Sequence, residues 1–134
     1  MKLRNARYLS HDFIDSLLQE GDIAVDATAG NGHDTLWLSQ NVGAGGKVYA
    51  FDIQQQALDS TSRLLSENGA ENVTLILDSH ANVKNYVKEP ICVGMFNLGY
   101  LPGGDKSITT RHESSIAAII AGTELLAPNG ALLI

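Results

Sequence analysis

Short apolar runs alternate along this chain with longer stretches whose apolar residues recur at helical spacing. The runs are DIAVDA, KVYAFD, NVTLILD, ICVGMFN and the closing ALLI. Ahead of the first, Ser10 is a plausible N-cap for a helix carrying Phe13, Ile14, Leu17 and Leu18, which Gly21 ends. Between the others lie a helical stretch from His33 to before Gly43, QQQALDSTSRLLSENG closed by Gly69, and a short helix over Ala81 to Val87. A long helix is expected from about Thr110 to Leu126, with Ile116, Ile119, Ile120 and Leu125, and Pro128-Asn129-Gly130 reads as a turn before the fifth strand.

Strand and helix in alternation give parallel strands joined by crossovers, with helices on both faces. Runs such as IAV and LIL do not alternate with polar residues, as expected of strands buried on both sides. The fold class read from this pattern is α/β, a doubly wound, Rossmann-like and mostly parallel sheet. The 134 residues suit one domain. Stopping inside an apparent central strand at Ile134 would leave an open sheet edge. The expectation is therefore a domain lacking its last strands, or one whose edge is covered by a partner, with a homodimer conceivable.

Composition narrows the class. Hydrophobic residues at 44% with 18% charged describe a globular chain. No apolar run approaches the roughly 18 residues of a membrane span, and MKLRNARYLSHD lacks the apolar centre of a signal peptide, so a cytoplasmic protein away from membranes is expected. The single cysteine, Cys92, fits a reducing compartment. His11, His33, His80 and His112 are scattered without the spacing zinc requires, so no metal is expected. A net charge of −6 argues against broad nucleic-acid binding, yet Lys2, Arg4 and Arg7, and Lys106 and Arg111, remain local candidates for phosphate contacts.

The stretch VDATAGNGHDT joins the first strand to the next helix. In a doubly wound sheet that is where ligands bind, beyond the carboxyl ends of the strands. Gly30 and Gly32 allow a tight turn and a close approach to the backbone. Asp52 follows Gly30 by 22 residues at the end of the second strand, where a carboxylate can accept from a ribose diol. Asp78 ends the third, where it or its neighbours can meet an adenine edge. One such aspartate is most often a turn former, whereas three at successive strand ends describe one rim. A dinucleotide site expects a third glycine, but Thr35 stands there, and Asp26 and Asp34 place negative charge beside the turn. That disfavours pyrophosphate and suits the cationic amino-acid end of S-adenosylmethionine.

After the fourth strand comes MFNLGYLPGGDKSITT. Asn97-Leu98-Gly99-Tyr100 looks like a variant of the N-P-P-Y motif of amine-directed methyltransferases, keeping the Asn and the Tyr and neither proline. An amide oxygen can bind an amine's N–H groups and aim its lone pair, and an aromatic ring can stack on a base. Gly99, Gly103 and Gly104 would leave room for a substrate; a plain glycine-rich loop with Tyr100 packed inward is the competing reading. His80 and Tyr100 are weak candidates for a general base.

Together, DATAGNGHDT, VYAFDIQ, LILDSH and FNLGYLPGGDKSITTR resemble the small bacterial YtqB-like or MnmM family of rRNA-methylase-like proteins, from about Gly21 to the end. The resemblance implies a class I S-adenosylmethionine-dependent methyltransferase. It implies as substrate the amine of 5-aminomethyl-2-thiouridine at the tRNA wobble position, reached through the anticodon region. It places Asp26, Gly30, Gly32 and Asp34 at the methionine end, with Ala27, Asn31 and Thr35 in the same loop. Asp52, Ile53 and Gln54 would hold ribose, and Asp78 and Ser79, followed by His80, would lie beside adenine. Asn97 would face the reacting methyl, with Tyr100 as its catalytic companion, and Tyr100, Gly103, Lys106 and Arg111 would meet substrate. The chain departs from the family in lacking a further His- and Gly-containing stretch and strands. The competing functions are methylation of rRNA or a small amine, an NAD-linked oxidoreductase, and a cofactor-binding module without catalysis.

Overall fold

The structure, a computed structural model, describes residues 17–96 and 117–133. Its strands are β1 (Ile23–Asp26), β2 (Lys47–Asp52), β3 (Val73–Leu77), β4 (Ile91–Met95) and β5 (Leu126–Leu133). Between them lie α1 (His33–Val42), α2 (Gln55–Glu67), a single 3₁₀ turn (His80–Asn82) running into the short α3 (Val83–Tyr86), and α4 over residues 117–125. The sheet order is β3-β2-β1-β4-β5, with every neighbouring pair parallel. This is the doubly wound sheet expected, and the order reverses between β1 and β4, which opens a crevice beyond their carboxyl ends.

Burial explains why β1, β2 and β4 read as unbroken apolar runs. Ala24, Val48 and Val93 pack with Leu38 and Val42 of α1 and with Leu18, while Val25, Tyr49, Phe51 and Ile76 pack with Val83, Val87 and Ile91. Neighbouring residues of β1 and β2 thus enter different clusters, each covered by helix or loop. Side chains such as Leu38, Val42 and Phe51 have no exposed surface, and each contributes about 1.5–3 kcal/mol by leaving water. The inner face of α2 carries Leu58, Thr61 and Leu65 at helical spacing, so one hydroxyl is buried within its apolar stripe.

Three expectations need correction. The predicted turn at Pro128-Asn129-Gly130 lies inside β5: Ile91 pairs with Leu126 and Val93 with Ala131, so the extra residues bulge out of the strand. Turn-forming residues serve a bulge equally well, and a side chain at Gly130 would meet the Ile91 and Cys92 carbonyl oxygens at 2.8 and 3.0 Å. On the long helix, described over residues 117–125, Ile120, expected on its core face, is 57% exposed, while Ala118 is fully buried. The run LIL, expected to be buried on both sides, leaves Leu77 53% exposed, because β3 stands at the edge of the sheet.

Candidate functional site

The loop between β1 and α1 is held from three directions. From β2, the Phe51 carbonyl accepts the Ala29 N–H at 2.8 Å, and Asp52 Oδ2 accepts the Gly30 N–H at 3.0 Å. From α2, Thr61 Oγ1 donates to the Gly30 carbonyl at 3.1 Å. From within, Asp26 Oδ2 accepts from Thr35 Oγ1 at 2.7 Å and Oδ1 from the Thr28 N–H at 3.1 Å. The loop therefore arrives preformed, with both backbone groups of Gly30 used. Gly30 and Gly32 have φ of +56° and +90°, a region L side chains enter at a penalty. A side chain at Gly32 would stand 2.9 Å from Thr61 Cα, whereas a Cβ added at Gly30 would meet no atom within 4 Å. One glycine lets α2 pack against the loop; the other keeps space open at its tip.

The carboxyl groups gathered here differ in state. Asp26 is 2% exposed, and burial, reinforced by the charges of Asp34 and Asp52, pushes it up to about 7 against the hydrogen bonds from Thr35 and Thr28. The negative charge expected of Asp26 beside the turn is therefore partial near neutral pH, because a charge there is desolvated. Asp52 is 9% exposed, with Oδ2 on Gly30 and Oδ1 accepting the Gln54 N–H at 3.0 Å. Its hydrogen bonds fix the direction of its remaining lone pairs. Beside it, Ile53 is 66% exposed and offers an apolar surface at the rim.

Asp78 follows the last residue of β3. Its Oδ1 accepts the Ser79 N–H and the Asn82 amide, and its Oδ2 accepts the Tyr86 hydroxyl at 2.6 Å. These donors, Tyr86 first, hold its carboxyl below the usual range. Ser79 Oγ caps the 3₁₀ turn by accepting the Ala81 N–H. His80 reaches across the crevice toward the end of β1, and its ring lies 6.3 Å from the Phe96 ring just beyond β4. Burial holds its imidazole below the usual value, against the Ala27 backbone and the charge of Asp52.

The structure thus brings Asp26, Ala27, Gly30, Gly32, Asp34, Thr35, Asp52, Ile53, Gln54 and the Asp78–His80 turn to one end of the sheet, with Asn31 exposed on the loop between. Asn97, Tyr100, Gly103, Lys106, Arg111 and the basic residues Lys2, Arg4 and Arg7 lie outside the described residues. Thr61, Tyr86 and Phe96 were missed by the sequence reading. Thr61 had a signal, since a hydroxyl within the apolar stripe of a helix implies a buried partner. A cavity of about 710 Å³ opens at the other end of the sheet, lined by residues including Ser39, Gly43, Lys47, Gly69 and Asn72. Its Ser39 and Asn72 bond one another, and Asn72 also bonds the Gly43 carbonyl, so these polar groups serve the fold. Among the described residues no group of three His, Cys, Asp or Glu could hold a metal ion, and no helix is long and apolar enough to cross a membrane.

This geometry suits an adenosine ligand better than a dinucleotide. A carboxylate already holds the Gly30 N–H, so that donor is not open to a pyrophosphate oxygen. Comparison with known proteins agrees. Residues 48–134 match the model of the family described as "Putative rRNA methylase". A tRNA (mnm(5)s(2)U34)-methyltransferase of Arabidopsis thaliana chloroplasts is 41% identical over 95% of this chain, which spans 50% of that protein. A solved protein from Clostridium thermocellum, of the same description as the family, superimposes with a TM-score of 0.90 at 44% identity, over 98% of this chain and 72% of that one. One from Streptococcus mutans, described as a methyltransferase in complex with SAH, gives 0.81 at 41% identity, over 98% and 72%. By its sequence and its fold, the chain belongs to the rRNA methylase family.

Proposed function

We propose that the crevice holds S-adenosylmethionine and that the protein is an N-methyltransferase acting on tRNA, at the amine of 5-aminomethyl-2-thiouridine in the wobble position. The observation that carries this reading is the pairing of Asp52 with Gly30: a buried, oriented carboxylate beside a glycine whose flank is open. That is a cradle for a ribose diol against backbone. The substrate reading is supported by the relative of Arabidopsis thaliana, whose name specifies this uridine, and by the Asn97 motif.

The chain's own residues have these tasks. Asp52 accepts from ribose, and the exposed Ile53 covers a base. Asp26, joined to Thr28 and Thr35, holds the loop, and its carboxyl gains charge as a cationic amine approaches. Asp34, whose charge acts on Asp26, belongs to the same end. Asn97 is assigned to the substrate amine, Tyr100 and Gly103 to the base that carries it, and Lys106 and Arg111 to phosphates of the anticodon region. When bound, S-adenosylmethionine supplies a methyl carbon made electrophilic by its sulfonium. The protein's part is to hold amine and methyl in line, a gain that reaches about 7 kcal/mol in well-aligned reactions. We also propose a cytoplasmic, reducing location, consistent with the free thiol of Cys92, and pairing of two copies, read by sedimentation.

Incubation of the full-length protein with tritiated S-adenosylmethionine and tRNA lacking the terminal methyl tests this. Label should enter tRNA at the wobble uridine and be lost with Asn97→Ala while cofactor affinity is kept. Label in rRNA or a small amine alone would overturn the substrate, and no label in any of them the activity. Lys106→Glu with Arg111→Glu should weaken tRNA binding far more than cofactor binding.

A further inference from the structure

The turn after β3 holds a device that the cofactor reading leaves unexplained. Three donors from one short segment converge on Asp78: the Ser79 N–H at 2.6 Å, the Asn82 amide at 2.9 Å and the Tyr86 hydroxyl at 2.6 Å. A carboxylate has about four acceptor positions, so most of this one is spent on its own segment. The Tyr86 ring stands edge-on to Phe51, with centroids 5.7 Å apart at 71°, and Phe51 precedes Asp52. Tyr86 is 42% exposed, so the cluster is held by directed bonds more than by burial. Inside the span thus closed lies His80, whose ring stands beside that of Phe96 across the crevice.

We propose that Asp78 and Tyr86 are positioning residues: their hydrogen bond clips α3 to the end of β3 and so sets the His80 ring across the crevice rim. The proposal rests on the crevice being the cofactor site, and gives Asp78 an indirect part in binding adenosine. A charge-assisted bond between phenol and carboxylate is short and strong, which suits a clip that stands partly in water. Because the clip closes the whole turn from Ser79 to Tyr86, loosening either end frees the His80 ring from its place beside Phe96.

The test uses Tyr86→Phe, which keeps the ring on Phe51 and removes only the hydroxyl, with Asp78→Asn as the second variant. One readout is the imidazole carbon–proton spectrum without ligand, with His80 assigned by its loss in His80→Gln. The other is the dissociation constant for S-adenosylhomocysteine. In both variants the His80 resonances should move toward those of a solvated histidine, and affinity should fall roughly tenfold, the loss expected for one charge-assisted bond. Leu65→Ala, which opens the core under α2, should lower the melting temperature and leave the His80 resonances in place. Unmoved His80 resonances in Tyr86→Phe would overturn the clip, and moved resonances with unchanged affinity would overturn its part in binding. A wild-type chain that binds no S-adenosylhomocysteine refutes the crevice reading itself, while the ligand-free spectra still decide whether the clip exists.

Discussion

Gly30 and Gly32 share one loop and one backbone handedness, yet replacing each by alanine should have separable consequences. Both substitutions put an L side chain at positive φ, +56° and +90°, at about 1–2 kcal/mol. Both also restrict the unfolded chain, which returns about 0.4–1 kcal/mol. These effects largely cancel in the comparison. What remains is contact: the new methyl at position 32 lies 2.9 Å from Thr61 Cα and 3.1 Å from Thr61 Cγ2, whereas at position 30 it meets nothing within 4 Å. Since Thr61 Cα is backbone, relief requires α2 to shift, and overpacking of this kind is worth about 2 kcal/mol. For a domain of this size the difference is roughly 6–8 °C in melting temperature. Gly32→Ala should therefore melt well below Gly30→Ala by circular dichroism, while Gly30→Ala should lose more affinity for S-adenosylhomocysteine in titration calorimetry. Equal melting losses, or a larger affinity loss in a still-folded Gly32→Ala, would refute the division of labour between the two glycines.

Other substitutions test the same frame. Asp26 titrates near 3.8 unfolded and about 7 folded, so between those values the folded state holds a proton that the unfolded state has released. Raising the pH from 4 to above 7 should thus lower stability, by at most on the order of 4 kcal/mol, and urea melts of Asp26→Asn should lose that slope. Thr61→Val removes the donor to the Gly30 carbonyl, and chemical denaturation should register about 1–2 kcal/mol for the acceptor left behind. Gly130→Ala, pressed on the Ile91 and Cys92 carbonyls, should speed amide exchange in β4 and β5 and leave β2 and β3 protected.

How much of this was legible follows from what each residue needed to announce itself. Strands buried on both faces carry their apolar character in consecutive residues, so IAV and VYAF could be read directly. The loop glycines were legible because positive φ restricts the residue type, and Asp52 because a strand end at that spacing from Gly30 meets the same rim. The protonation of Asp26 was hidden, since it depends on burial beneath Thr28 and Thr35 that spacing does not reveal. Thr61 and Tyr86 act through partners 31 and 8 residues away, contacts created only by packing. Pro128-Asn129-Gly130 was misread because a bulge and a turn draw on the same residues, and the pairing of Ile91 with Leu126 decides between them. Asn97 and Tyr100 remain assignments from motif, outside the described residues.

The central claim is that the acidic rim around Gly30 and Asp52 accepts an S-adenosyl ligand and rejects a dinucleotide. Titration calorimetry of the full-length protein with S-adenosylmethionine and with NADH, under one buffer and pH, tests it most directly. The account predicts saturable binding of S-adenosylmethionine that weakens in Asp52→Ala, and no measurable uptake of NADH. Tight binding of NADH with none of S-adenosylmethionine would contradict it.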